Sequence, residues 1–191
     1  MNIFVFGTLL SETFRRIVLG RELNSEHICT ASLKNFCVYW AEGGPFPVIV
    51  PKDGTEVHGV VLKDLNEHDI ERLNYYELGF GYVLKEALVE TNDCLQDVFA
   101  YFCKSSDMAS KNLWSFDDWL TKHSEIQYLA TTEFMDFFGT KFGDTAQRMY
   151  NSILKRAEIY FKERSSVRKV IEGGPSKHAK AQVESLSREY L

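Results

Sequence analysis

The chain has 191 residues and a net charge of −5, with a sequence pI of about 5.6. This charge gives no electrostatic reason to bind nucleic acid or an anionic membrane. Hydrophobic residues make up 45% and aromatic residues 14%, which is enough for a real core. The first apolar run is short and lacks a basic leader, and no stretch approaches the roughly 20 apolar residues of a membrane span. We therefore expect a folded protein without nucleic-acid or membrane partners.

The first stretch of the chain predicts a buried strand that ends at a glycine. Residues 2–6 are bulky β-formers, Gly7 and Thr8 follow, and Ser11 begins a helix. Backbone N–H groups at the end of such a strand can hold a carboxylate, a carbonyl oxygen or a phosphate, and Gly7 permits close approach. On spacing alone, a plain strand-to-helix turn is the favoured interpretation.

The first hundred residues alternate short strands with two helices. The predicted strands are residues 2–6, 26–31, 34–40, 46–51, 57–62, 83–91 and 98–103. Prolines bracket residues 46–51, which makes that strand an edge or a bulged strand, and Asp53-Gly54 is a turn signal. Six or seven strands with two helices indicate an α+β domain built on a small mixed or antiparallel β-barrel.

The two helices of this part have clear boundaries. One runs from Ser11 to Leu19 and ends at Gly20. The second opens at Asn66, and its periodicity divides it into two faces. The predicted inner face is Leu65, Ile70, Leu73 and Asn74, and the predicted outer face is Glu67, Asp69, Glu71 and Arg72.

From Ser105 the composition predicts helices. Ser115 caps one helix with Asp118, with Phe116, Trp119 and Leu120 inward, and the next helices open at Ser124 and Asp144. Apolar residues follow one stripe of the helix from Asp144, namely Met149, Tyr150, Ile153, Leu154, Ala157, Tyr160 and Phe161. A last amphipathic helix follows Gly173-Gly174-Pro175. We therefore divide the chain into a domain at residues 1–104 and a helical extension at residues 105–191 packed on it. The sequence leaves open whether the last helix covers a neighbouring subunit.

Neither the four cysteines nor a search for common catalytic motifs indicates a function. Cys29, Cys37, Cys94 and Cys103 form no C-x-x-C pair, so a zinc site or disulfide framework is not expected. Their pattern is typical of reduced thiols in a cytoplasmic protein. The sequence has no nucleophile elbow, Walker loop, G-x-G-x-x-G or H-E-x-x-H motif.

Glu77 is the acidic residue that stands out. It lies between Tyr75-Tyr76 and the segment at residues 78–82, which is apolar, aromatic and rich in glycine. A carboxylate in such surroundings would be desolvated, which raises its pKa toward neutrality and suits a general base and acid. An exposed carboxylate at a helix end is an equally good interpretation of the residue alone.

Three segments, in this order, resemble the γ-glutamylcyclotransferase-like family, also called AIG2-like. They are residues 5–10, residues 46–51 and residues 73–77 with Tyr82 shortly after. The resemblance covers about residues 1–104. In that family the first motif usually reads Tyr-Gly-Ser or Tyr-Gly-Thr, and the glutamate lies between an aspartate and a glycine. Here Phe6, Asn74 and Leu78 replace the tyrosine, the aspartate and the glycine.

The resemblance implies a small β-barrel with a cavity at its mouth. Glu77 would take a proton from the α-amine of a γ-glutamyl substrate and protonate the leaving amine, giving 5-oxoproline without a metal or cofactor. Residues at the first motif would hold the substrate, namely Phe6, Gly7, Thr8, Leu9 and Leu10. Aromatic residues on nearby strands, Phe46, Tyr82 and Tyr101, are the expected cavity walls.

The function predicted on this basis is a γ-glutamyl cyclotransferase, or a related γ-glutamyl-amine acyltransferase, in the cytoplasm. Phe6, Asn74 and Leu78 motivate one alternative, a binding module of the same fold without catalysis. A hydrolase that acts on the same bond is another. The helical extension is also a candidate surface for a homodimer.

Overall fold

The computed structural model describes residues 1–92 and 94–172 of the chain. The strands are β1 (Ile3–Val5), β2 (Ile28–Ala41), β3 (Gly44–Leu62), β4 (Tyr82–Thr91), β5 (Leu95–Cys103) and β6 (Ala109–Leu113). The helices are α1 (Glu12–Leu19), α2 (Glu67–Gly79), α3 (Phe116–Lys122), α4 (Ser124–Met135) and α5 (Gly143–Glu172). Short 3₁₀ turns lie at Gly7–Leu10, Ser25–His27 and Ser106–Met108.

Five strands close into a mixed barrel. The order is β3-β1-β5-β4-β2, and β2 pairs again with β3, so that the sheet has no free edge between them. The β1–β5 pair is parallel and the other barrel pairs are antiparallel. β6 adds to β2 in antiparallel register outside this ring. The predicted α+β class and small mixed barrel are therefore confirmed.

β1 is buried on both of its faces, as its composition predicts. Ile3 and Val5 belong to the apolar cluster shared with the helices, whereas Phe4 belongs to the cluster that includes Val61 and Ala100 of the neighbouring strands. Successive side chains of a strand point to opposite faces, which explains this alternation. β1 therefore joins the barrel to the helical layer, and its carboxyl end lies where the two meet.

The sequence predicts two short strands in place of β2 and two more in place of β3, and this division is wrong. Residues 26–31 and 34–40 largely fall in the single strand β2, and residues 46–51 and 57–62 fall in the single strand β3. The register shifts between Lys34 and Phe36, where the extra residues of β3 bulge out. Gly54 takes a left-handed φ of 74°, and its N–H binds the side chain of Asn35. The turn signal at Asp53-Gly54 therefore marks a bulge.

The caps predicted for α1 and α2 are present. The Ser11 hydroxyl accepts the Phe14 N–H, and Gly20 ends α1 at a φ of 73°. Asn66 and Asp69 form a reciprocal capping box at the start of α2. These local hydrogen bonds fix where each helix begins or ends.

Two residues assigned to the outer face of α2 lie between the helices instead. Asp69 is 1% exposed and binds the Arg21 guanidinium at 2.8 and 2.6 Å. Arg72 donates to the carbonyl oxygens of Val18 and Ile17 at the carboxyl end of α1. The helical period places both polar side chains on the outer face of α2. It does not show that α1 supplies the partners of Arg72, or that Arg21, just after α1, binds Asp69.

The helices after residue 104 pack on the barrel domain through one continuous core. Trp119, Phe134 and Ile153 are fully buried in the same cluster as Ile3 and Phe14. Leu120 and Tyr160, both predicted to face inward, are 42% and 53% exposed. The predicted helix after Gly173-Gly174-Pro175 lies outside the described residues. Within the described ranges, the helices lack the combination of length and apolar character that crossing a bilayer requires.

Candidate active site

A cavity of about 220 Å³ lies at the carboxyl end of β1. Its walls come from β1 and the turn after it, from β3, β4 and β5, and from the helices α2 and α5. Most of the lining is apolar or aromatic. The aromatic members are Phe4, Phe6, Phe46, Tyr76, Phe80, Tyr82, Tyr101 and Tyr150. A cavity of this size, below the ~300–1,000 Å³ typical of drug-sized ligands, suits a compact substrate.

Glu77 supplies the carboxyl group of this cavity. It lies in the last part of α2 and lines the cavity, where its side chain is half-buried. Within the described part of the chain, its carboxylate has no hydrogen-bond or ion-pair partner, so burial alone acts on it. Desolvation disfavours the charged form and raises the pKa of Glu77 to about 8. The group is thus poised to exchange a proton near neutral pH.

The helical period of α2 explains why Glu77 faces the cavity. Leu73, Tyr76, Glu77 and Phe80 follow the spacing of one helical face. Leu73 is fully buried, and the Tyr76 and Phe80 rings lie 5.6 Å apart in the cavity wall. Leu78 is 44% exposed and points away from this face. Its departure from the family pattern therefore lies outside the cavity.

The turn after β1 is held in place by Pro47. Gly7 takes a left-handed φ of 72°, and a Cβ at this position would lie 2.9 Å from Cβ of Pro47 and closer still to its Cγ. The Tyr82 hydroxyl donates to the Pro47 carbonyl oxygen at 2.6 Å. Both the backbone conformation and the contact with Pro47 therefore require glycine at position 7. The hydrogen bond from Tyr82 holds Pro47 in place against it.

Arg15 holds the same turn from the other side. Its guanidinium donates to the carbonyl oxygens of Leu9 and Leu10 at 2.9 and 2.8 Å. Burial lowers the pKa of Arg15 from its ordinary value. The first amides of a helical turn have no partner within the turn, so they are available to a ligand. Thr8 and Leu9 line the cavity there.

The predicted substrate-binding residues divide into two groups. Phe6, Thr8, Leu9, Phe46, Tyr82 and Tyr101 line the cavity together with Glu77. Gly7 and Leu10 are not part of the lining. Gly7 packs against Pro47, and Leu10 presents its carbonyl oxygen to Arg15, so both shape the turn from outside the cavity.

Asn74 has a structural partner in the cavity wall. Its side-chain oxygen accepts a hydrogen bond of 2.9 Å from the Tyr101 hydroxyl. Burial raises the pKa of Tyr101 well above its ordinary value, so this hydroxyl stays protonated. Phe6 brings no hydroxyl to the cavity, and its ring packs against Phe4 at 6.2 Å.

Part of the wall comes from α5 and the turn before β6, which sequence reasoning did not assign to the site. Gln147 and Tyr150 line the cavity from α5, and Met108 lines it from the 3₁₀ turn. The Tyr150 hydroxyl donates to the side-chain oxygen of Gln127, a residue that is 2% exposed. The sequence held one signal of this contact, which is Gln127 among the apolar residues of α4. A buried amide side chain requires a hydrogen-bond partner, and Tyr150 supplies it.

The chemistry available in this cavity is proton transfer and hydrogen bonding. Over residues 1–92 and 94–172, no cluster of three or more His, Cys, Asp or Glu side chains is placed to hold a metal ion. Glu77 is the one carboxylic acid among the described residues that line the cavity, and none of them is lysine, arginine or histidine. The arrangement can enclose a small molecule, exclude bulk water and move a proton between Glu77 and a bound nitrogen atom.

Comparison with known proteins gives consistent matches. The model of the family described as gamma-glutamyl cyclotransferase, AIG2-like, matches residues 3–121. AIG2-like protein B of Arabidopsis thaliana is 29% identical over 138 residues, which cover 71% of this chain and 78% of that protein. Protein AIG2 A of the same organism is 26% identical over 139 residues, which cover 71% and 79%.

Two solution structures of Arabidopsis thaliana proteins are also similar. One is 26% identical with a TM-score of 0.50 and covers 73% of this chain and 93% of that one. The other, at 23% identity and a TM-score of 0.51, covers 73% and 84% and shows the same fold. Because the family match spans more than half of the residues and includes Glu77 and the turn at Gly7, the chain belongs to the gamma-glutamyl cyclotransferase, AIG2-like, family.

Proposed function

We propose that this protein cyclises a γ-glutamyl amide to 5-oxoproline and releases the amine. The observation that carries the proposal is the Glu77 carboxyl group, which has no partner in the described chain and shares an apolar cavity with Thr8 and Leu9 of the turn after β1. Membership of the family supports a γ-glutamyl substrate.

The reaction needs one nucleophile, and the substrate carries it. The α-amine enters as an ammonium and gives a proton to the Glu77 carboxylate. The freed amine then attacks the γ-carbonyl carbon, and a C–N bond forms as the carbonyl oxygen gains negative charge. The first amides of the turn at residues 7–10 donate hydrogen bonds to that oxygen. The bond to the leaving nitrogen breaks, and Glu77 protonates this nitrogen.

The proton inventory closes without a metal or cofactor. The α-amine loses two protons as it becomes the lactam N–H, and the leaving nitrogen gains two as it departs as an ammonium. Glu77 can carry each in turn and ends as it began. Attack within one molecule needs only a folded conformer, which a cavity of about 220 Å³ favours by confining the substrate.

The raised pKa of Glu77 fits this role. Near pH 7 a carboxyl group with a pKa of about 8 is mostly protonated in the free protein. A bound ammonium is an opposite charge beside the carboxylate, and it favours the ionised form. The substrate itself therefore brings the base into its active state, and the apolar walls keep the proton from water.

The decisive experiment replaces Glu77 with glutamine. Release of 5-oxoproline from L-γ-glutamyl-leucine and L-γ-glutamyl-isopentylamide is measured for the unmodified chain and for Glu77→Gln. We expect a loss of kcat/KM of roughly 10³-fold, the middle of the range for removing a general acid–base group, with the fold retained. Glu71→Gln, an exposed position on the same helix, is the matched control and keeps full activity. Retained 5-oxoproline release by Glu77→Gln refutes the proposal.

A binding module without catalysis is the second candidate. The observation that favours it is Phe6, which places a ring without a hydroxyl in the cavity lining where the family pattern has tyrosine. Calorimetry that detects binding of the γ-glutamyl amides without turnover would support this function. Release of free glutamate in place of 5-oxoproline would instead identify a hydrolase.

Three further expectations stay predictions. They are the division of the chain at residue 104, a homodimer formed through the helices of the extension, and a cytoplasmic location. β6 lies after residue 104 and pairs with β2, so the division separates two strands of one sheet.

A further inference from the structure

The charge of the cavity lining limits what the amine part of a substrate can be. Among the described residues that line the cavity, Glu77 is the one with a carboxyl group, and there is no lysine, arginine or histidine. Thr8 and Gln147 supply neutral polar groups. Any further charge on a bound molecule would therefore lie in an apolar environment without an opposite charge.

The γ-glutamyl part of a substrate already uses these polar groups. Its ammonium is the counterpart of the Glu77 carboxylate. Its carboxylate needs hydrogen-bond donors, which the Thr8 hydroxyl and the Gln147 amide can provide without a cation. Nothing charged is left for the other end of the molecule.

The remaining wall is apolar. Phe46, Phe80, Met108 and Tyr150 are apolar or aromatic members of the lining. The Phe80 and Tyr150 rings lie 4.8 Å apart in an edge-to-face arrangement, and the Tyr150 hydroxyl is engaged by Gln127. The Met108 carbonyl oxygen accepts the Glu42 N–H at 2.9 Å, which anchors the rim. This wall offers a bound amine hydrocarbon contact.

A second charge on the amine part would be unfavourable here for either sign. A carboxylate would lie in the same cavity as the Glu77 carboxylate, with no cation to offset its lost hydration. An ammonium could contact aromatic faces, but that attraction is smaller than the hydration it gives up on burial. An uncharged amine part loses no hydration of this kind and gains from apolar burial.

We propose that the preferred substrates are γ-glutamyl amides of small, uncharged, apolar amines, with the amine part lying against Phe46, Phe80, Met108 and Tyr150. This inference rests on the proposed cyclisation. Tyr150 and Gln147 lie beyond residues 3–121, so this selectivity comes partly from a helix outside the family match.

Matched substrate pairs test the inference on the unmodified chain. L-γ-glutamyl-isopentylamide is L-γ-glutamyl-leucine without the second carboxylate, and L-γ-glutamyl-pentylamide is mono-γ-glutamyl-cadaverine without the second ammonium. We expect kcat/KM to be at least tenfold higher for the neutral member of each pair. Equal or higher values for a charged member would overturn the inference and leave the cyclisation intact.

Failure of the cyclisation itself has a different signature. If none of the four compounds yields 5-oxoproline, the proposed function fails, and calorimetric binding of the same compounds then decides the inference. Tighter binding of both neutral members supports the selectivity. Equal or weaker binding of either neutral member overturns it.

A charge introduced at the rim gives an independent test. Met108 is half-buried in the lining, so Met108→Lys places a flexible cation beside the apolar wall. In Met108→Lys we expect the ratio of kcat/KM for L-γ-glutamyl-isopentylamide to that for L-γ-glutamyl-leucine to fall at least tenfold. Met108→Leu should keep the ratio of the unmodified chain. An unchanged preference in a folded Met108→Lys protein contradicts the inference. If this variant does not fold, the matched pairs on the unmodified chain decide.

Discussion

Gly7 and Pro47 are in contact so close that no side chain fits between them. A Cβ atom on Gly7 would lie 2.9 Å from Cβ of Pro47, and the φ of 72° at Gly7 is one that other residues rarely adopt. Pro47 cannot move away freely, because the Tyr82 hydroxyl holds its carbonyl oxygen. The turn that carries Thr8 and Leu9 into the cavity therefore depends on this contact.

Replacing Gly7 with alanine should destabilise the fold and the site together. Gly54 is a matched control, because it has a φ of 74° and a Cβ atom added there would meet open space. We expect Gly54→Ala to cost about 1–2 kcal/mol from backbone strain alone. Gly7→Ala should cost about 1–3 kcal/mol more from overpacking and abolish turnover. Urea unfolding measures both, and equal losses for the two variants would contradict the role of Pro47.

The pH dependence of catalysis should report Glu77. Turnover requires an ionised Glu77, so kcat/KM should rise with pH and level off above about 8, the raised pKa of the free protein. The kcat profile should bend at lower pH, because bound ammonium lowers the pKa of Glu77 in the complex. An acidic limb of kcat/KM below about pH 5, near the ordinary pKa of a glutamate, would mean that Glu77 is not desolvated.

The same group should make stability depend on pH. An unfolded glutamate titrates near 4.5 and folded Glu77 near 8, so the folded state holds the proton more tightly between these values. The stability contribution is complete below pH 4.5 and is lost as pH rises through about 8. The loss is at most about 1.4 kcal/mol per pH unit.

Glu77→Gln removes this dependence and is therefore informative without any substrate. We expect the variant to gain stability over the unmodified chain as the pH rises from about 5 to about 9, with little difference at the acidic end. Thermal unfolding at several pH values measures the gain. A constant difference across this range would show that burial does not act on the Glu77 carboxylate.

Arg15 should act as a positioning residue through its two hydrogen bonds to the turn. Arg15→Ala frees the Leu9 and Leu10 carbonyl oxygens, and we expect about a tenfold fall in kcat/KM, mostly through a higher KM. Arg15→Lys should restore part of it. Arg16→Ala, whose guanidinium contacts only exposed Glu22 among the described residues, is the control. An equal effect of both alanine variants would argue for a general charge effect.

Local signals in the sequence were sufficient for several features. Ser11 and Asn66 mark helix starts through their own neighbours, and Gly20 marks an end, because capping involves residues three or four positions apart. Glu77 also stands out through its sequence neighbours. Tyr76 lies in the same helix and Phe80 directly follows that helix, and both supply part of the apolar surroundings of Glu77. The sequence by itself therefore determined the class of fold and singled out Glu77, but it left open whether the carboxyl group is buried or exposed.

Tertiary packing decided the rest. The helical period predicts that Asp69 is exposed. In the structure Asp69 is buried and binds Arg21, which lies in a distant segment of the chain. Tyr150 follows Glu77 by more than seventy positions and reaches the same cavity only because α5 packs on α2 and α4. Hydrophobic periodicity shows which face of a helix is buried but carries no information about which distant surface covers it. The shape and selectivity of the cavity therefore arise from contacts between segments far apart in the chain.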